Sequence, residues 1–207
     1  MELTHLHVLL AQAKKLIDHS EFVVVGSLSI LGVVSGSKAP PRMLTSIAVD
    51  CFTRQDPPRI FELQQALGQG SPFEAKHGFY LDPMDEKAPT LPEQWESRLV
   101  RVPLNDGIIV FFLDLNDAAV SKYARGEPRD REWIQAGLGA ALLSAPIIES
   151  RFRQTDFFDA DEHGQAIKAL ITDCAKFGPA SGRENASSPS GVRRAAGIRP
   201  KKRRREA

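Results

Sequence analysis

The chain has 207 residues, 42% of them hydrophobic, and a formal net charge of +1. That composition suits one packed domain, and no apolar run approaches the ~20 residues of a membrane-spanning helix, so no membrane association is expected. The two cysteines, Cys51 and Cys174, lack a CxxC spacing or a neighbouring histidine, which argues against a disulfide framework or a zinc site and for a reduced, cytoplasmic protein.

The near-neutral total hides an asymmetry. Residues 178–207 carry nine Lys/Arg and two Glu, a net +7, which leaves the body at −6. This tail is rich in Gly, Pro, Ser and Arg, and its composition predicts disorder because so little apolar surface cannot offset the entropy of ordering. The sequence therefore divides into a domain over 1–177 and a disordered basic tail over 178–207.

The N-terminal stretch lacks the charged region and small-residue cleavage site of a secretory signal. Leu3, Leu6, Leu9, Leu10, Ala13, Leu16 and Ile17 instead share one face of an amphipathic helix over about 3–18. Phe22–Val25 then reads as a buried strand, broken by Gly26-Ser27 and followed by a short helix. After a Ser/Gly/Pro loop, residues 46–52 form a second strand that carries Asp50 near its end. A Gly-Ser turn at one strand end and an acid on the next strand suit metal-dependent phosphoryl transfer. Free backbone N–H groups at the turn can meet an anion.

Further on, 59–67 has helical spacing and stops at Gly68-Gln69-Gly70. Residues 73–84 are mixed and aromatic, with an extended segment around Phe79–Leu81. Residues 98–102 alternate like a strand, Asn105-Asp106-Gly107 signals a hairpin turn, and 108–115 is the most apolar strand, with Asp114 near its end. Asp117 is then expected to cap a helix over 118–124. Asp130 restarts a helix to Leu143, Pro146 begins another to about Arg153, and a last helix runs over 163–176. Interleaved helices and strands without repeats imply an α/β (α+β) domain, a mixed sheet flanked by helices.

Five blocks in order carry a resemblance: Val23–Gly32, Ser46–Phe52, Leu67–Tyr80, Leu91–Val102 and Leu113–Ile134. They resemble the nucleotidyltransferase-like superfamily, in particular the bacterial branch that includes abortive-infection and toxin–antitoxin nucleotidyltransferases and an uncharacterised nucleotidyltransferase-like family of similar length. The most specific block is LDLNDAAVSKYARGEPRD.

What the resemblance implies is chemical. Such enzymes transfer a nucleotidyl group from an NTP, with Mg²⁺ ions held by an acid-x-acid pair on one strand and a third acid on a later strand. Asp50 matches the second acid of the pair, and Ala48 stands where the first would be. Asp114 is taken as the third, so Asp50 and Asp114 are the expected catalytic and metal-binding residues. Gly26 and Ser27 are the expected triphosphate turn, and Lys122 is expected to face the phosphates, with Arg125 one helical turn away. Arg129 and Asp130 are read as fixing a helix start.

Two functions follow. One is a Mg²⁺-dependent nucleotidyltransferase, toxin-like, acting on an RNA or protein acceptor and held by an antitoxin partner. The other is a member degenerate at Ala48, retaining nucleotide binding or acting as an interaction module. The run Arg199–Arg205 adds the expectation of sequence-independent contact with RNA or DNA. Trp95 and Trp133 are read as packing residues.

Overall fold

The computed structural model describes residues 1–34 and 38–177. The basic tail, with the disorder and nucleic-acid contact expected of it, lies outside the described residues.

Five strands form one sheet: β1 (Glu21–Val24), β2 (Ala48–Thr53), β3 (Tyr80–Pro83), β4 (Val100–Pro103) and β5 (Ile109–Phe112). Their spatial order is β3-β2-β1-β5-β4. β1 runs parallel to β5 and antiparallel to β2, β2 runs parallel to β3, and β4 and β5 form an antiparallel hairpin. The hairpin turns at Asp106 and Gly107, both at positive φ, as the Asn-Asp-Gly signal requires. The central position of β1 explains its apolar run, since Phe22, Val23 and Val24 are all buried.

Helix α1 (Leu3–Ile17) buries the predicted Leu6, Leu9, Leu10, Ala13 and Ile17, whereas Leu16, expected on the same face, is exposed. Four later helices make a second body: α4 (Leu115–Arg125), α5 (Pro128–Gly139), α6 (Ala145–Phe152) and α7 (Ala160–Phe177). α4 is their hub and packs against the other three and against the segment after β1. Asp173 on α7 is fully buried and accepts hydrogen bonds from Tyr123, Arg131 and Gln135. Asp117, also fully buried, pairs with Arg98 at 2.7 Å and Arg151 at 3.2 Å.

Four local expectations need correction. The helix after β1 is a 3-10 helix over Gly26–Gly32, not an α-helix. It is pressed onto β5: a Cβ at Gly32 would lie 2.6 Å from Phe112 Cβ. The stretch read as one helix over 59–67 splits into a 3-10 helix, Pro57–Leu63, and α2 (Gln64–Leu67). Its inward residues Ile60, Leu63 and Leu67 are spaced by three and then four, matching the two helix types in turn. The mixed aromatic stretch resolves into α3 (Pro72–His77), then β3. Ser71 caps α3 by accepting from Glu74 N, and Glu74 Oε2 accepts from Gly70 N. Finally, Asp114, not Asp117, caps α4, which starts one turn earlier than expected.

Candidate active site

The strand directions bring several chain segments to one end of the sheet. The C-terminal ends of β1 and β5 and the N-terminal ends of β2 and β3 lie together there. In-plane order at this end is therefore β3 with Asp82, β2 with Asp50, β1 leading into Gly26, and β5 leading into Asp114. Asp50 and Asp82 are register partners on adjacent strands, about 5 Å apart in the backbone, whereas Asp114 is two strands from Asp50, about 10 Å away.

A cavity of about 400 Å³ opens at this end. Asp50 and Asp82 line it from the sheet, Ser27 from the turn, and Arg42, Arg125 and Arg129 from the segments around it. Ala48 shares the Asp50 face, two residues earlier on the same strand. Tyr80 and Trp133 contribute aromatic surface.

Asp50 is the chemical centre. Its Oδ2 lies over the α-carbon of Gly26, so that a Cβ there would come within 2.2 Å of it. Gly26 also sits at φ +67°, so both the close approach and the left-handed backbone demand glycine. Val25 N donates to Asp50 O at 3.0 Å and ties the turn to the strand. Among the described residues no hydrogen bond or ion pair reaches the Asp50 carboxylate. Burial, followed by the nearby Asp82 charge, raises its pKa to about 6, against the opposing pull of Lys122, Arg125 and Arg129.

The residues match a family profile across 4–177, that of a nucleotidyltransferase of unknown function (DUF6036). The chain belongs to this nucleotidyltransferase family. Comparison with curated proteins and with solved structures finds no match.

In this family member the turn is held from α4 and α5. Lys122 Nζ donates to Ser27 Oγ at 2.9 Å and to Asp130 Oδ1 at 2.8 Å. Trp133 Nε1 donates to Ser27 O at 3.1 Å, and the Lys122 ammonium lies 5.1 Å from the Trp133 ring centroid. Asp130 also accepts two 2.7 Å hydrogen bonds from Arg125. Burial opposes ionisation of Asp130, but the bonds from Arg125 and Lys122 prevail and hold its pKa below the usual carboxylate range. Burial depresses Lys122, with Asp130 pulling the other way.

These contacts revise several expectations. Lys122 stands beside the turn as the resemblance implied, but it is only 3% exposed and its charge is matched by Asp130. It orients Ser27, and the hydroxyl that accepts from it keeps its own proton for a donor bond. Asp130, read as a helix-start residue, is a fully buried member of the charge network. Trp133 is a core residue, as expected, and also a hydrogen-bond donor to the turn. Asp114 is not brought to Asp50. Its Oδ1 accepts from Asn116 N at 2.9 Å and Asp117 N at 3.3 Å as the α4 cap, and it does not line the cavity.

Asp82 is the residue that sequence reading missed. The signal was available: Tyr80-Leu81-Asp82-Pro83 is a short strand carrying an acid, as Ile108–Asp114 is. Arg129, read as fixing a helix start, lines the cavity and has no ion-pair partner among the described residues. Arg42, by contrast, pairs with Glu132.

The donor set bears on the metal the resemblance implies. No group of three or more His, Cys, Asp or Glu that suits a metal is found among the described residues. An unpartnered Asp50 beside Asp82 supplies two carboxylates, which fits one Mg²⁺ completed by phosphate and water oxygens. It does not fit two protein-held ions.

Proposed function

We propose that the Asp50 cavity binds an NTP with one Mg²⁺ and transfers its nucleotidyl group to a hydroxyl of an RNA or protein acceptor. The observation that carries this reading is the Asp50 carboxylate, without a partner of its own, seated on Gly26 beside Asp82 in a cavity edged by arginines. A bound Mg²⁺ supplies charge neutralisation for the phosphates and the leaving group.

The protein's own residues do the rest. Asp50 and Asp82 hold the cation. Ser27 donates its hydroxyl proton to a phosphate oxygen, held in place by Lys122 and Trp133. Arg129 and the remaining N–H groups of Arg125 face the negative oxygens. The acceptor oxygen bonds to the α-phosphorus as the bond from that phosphorus to the β-phosphate oxygen breaks. Pyrophosphate leaves with the electron pair, and the acceptor proton passes to water at the cavity mouth. A toxin-like role under an antitoxin partner is the biological setting suggested by the resemblance.

Calorimetry of the full chain with each NTP, with and without Mg²⁺, tests this reading. Mg²⁺-dependent binding that disappears in Arg129→Ala supports it, and absence of binding for every NTP sinks it. Ala48 favours a second reading, a nucleotide-binding module that no longer transfers. Binding without pyrophosphate release in the presence of candidate RNA and protein acceptors would select that reading.

A further inference from the structure

A second cavity among the described residues, about 900 Å³, is remote in sequence from the Asp50 site and runs between α6 and α7. Phe152 and Leu170 are its buried apolar residues, and Ile167, Ile171 and Cys174 continue it along α7. Ile171 is 63% exposed, and Phe158, between the lining residues Phe157 and Asp159, is 89% exposed. Large apolar side chains left this open mark a surface that something covers. The edge of the groove is acidic. Asp156 and Asp159 line it without an ion-pair partner among the described residues, Glu149 lines it paired with Arg153, and Asp161 and Glu162 follow at the start of α7. Of the arginines, Arg153 lines the groove and is matched by Glu149, and Arg151 is engaged with Asp117.

We propose that this groove is the docking site of the chain's own segment Val192–Lys202. The segment has the complementary chemistry. Val192 and Ile198 are the two large aliphatic residues of the tail, each followed by arginine, and Pro200 is followed by Lys201 and Lys202. Two apolar anchors between basic residues match an apolar groove with an acidic edge.

The chain can also reach. The tail leaves directly from the end of α7 at Phe177. The 14 residues 178–191 span up to about 45 Å when extended. α7 itself, at 18 residues, is about 27 Å long. The intervening chain is therefore long enough for the segment to reach any part of the groove, including Asp156 and Asp159. A second copy of the domain is the poorer occupant, because it would bring a body of net charge −6 against an acidic edge.

Cys174 provides the test, since it lines the groove while Cys51 is fully buried. The alkylation rate of Cys174 is measured on the native full-length chain with a small maleimide at mildly alkaline pH. The docked segment predicts slow labelling in the wild type. It predicts a rate at least about tenfold faster in the double variant Val192→Ser/Ile198→Ser, the factor by which a modest local opening equilibrium protects a site. A charge reversal in the groove, Asp156→Lys, must accelerate labelling in the same direction. Equal rates in the wild type and the tail variant would overturn the proposal. A wild-type rate that falls as protein concentration rises would also overturn it, by assigning the cover to a second copy.

Discussion

The buried carboxylates of the helical body and the carboxylate of the cavity live under different rules. Asp117, Asp130 and Asp173 are each fully buried, and each is met by two or more charged or hydroxyl partners. Asp50 is partly buried, lies beside another acid, and is met by no direct partner among the described residues. Charges buried for structure are paired, because a lone buried ion costs several kcal/mol. A carboxylate kept unpaired at some expense in stability is one reserved for a ligand. The contrast separates scaffold from site more sharply than residue type does, since all four residues are aspartates.

The largest effect should come from breaking a pair in the helical body. Asp173→Ala leaves Arg131 and the Tyr123 hydroxyl without their acceptor and should cost about 3–5 kcal/mol in urea unfolding. Nucleotide affinity of the folded fraction should be unchanged. An unaltered midpoint would remove the contrast on its structural side.

Asp50→Asn should act in the opposite sense. The folded-state pKa, about 6, lies above the ordinary 3.8, so the folded protein binds this proton more tightly than the unfolded chain. The stabilisation from that proton is full below about pH 4 and is lost as pH rises through 6. Above that pH the wild type bears the cost of an unpaired charge. The asparagine variant should therefore be more stable than the wild type by about 1–2 kcal/mol at pH 8, a value reduced for solvent access through the cavity. Near pH 4 the two should unfold together. The same variant should lose Mg²⁺-dependent NTP binding.

Smaller effects refine the boundary of the site. Trp133→Phe keeps the ring but removes the donor to Ser27 O, and should cost about 1 kcal/mol of stability. Its NTP affinity should fall severalfold through a looser turn. Asp114→Ala should cost about 1 kcal/mol, the value of a helix cap, and leave Mg²⁺ and NTP binding intact.

The parts of the molecule that were legible in sequence are those where one pattern dominates. The leucine stripe of α1, the β1 run, the Asn-Asp-Gly hairpin and the Gly26-Ser27 turn are local patterns, and they lie where expected. Asp50 stood out in sequence because it lies on an apolar strand run and matches the second acid of the family pattern, and it lines the cavity. Asp82 did not, because a four-residue strand behind a capped helix offers too short a run for periodicity to show. Asp114 drew attention for the complementary reason, since the most apolar strand advertises its terminal acid; in the structure it caps α4 and does not line the cavity. Only the strand order reveals that the acid belongs to a helix cap, two strands from Asp50. The charge network around Asp130 depends on α5 returning over the turn, a contact between residues more than a hundred positions apart in the case of Ser27 and Trp133.

The central claim is that Asp50 and Asp82, not Asp50 and Asp114, form the cation-binding pair. Calorimetry of Mg²⁺ with NTP on the wild type, Asp50→Asn, Asp82→Asn and Asp114→Asn tests it most directly. The account predicts that the first two variants lose the Mg²⁺-dependent part of NTP binding and that Asp114→Asn keeps it. Wild-type binding in Asp82→Asn, with loss in Asp114→Asn, would contradict the account.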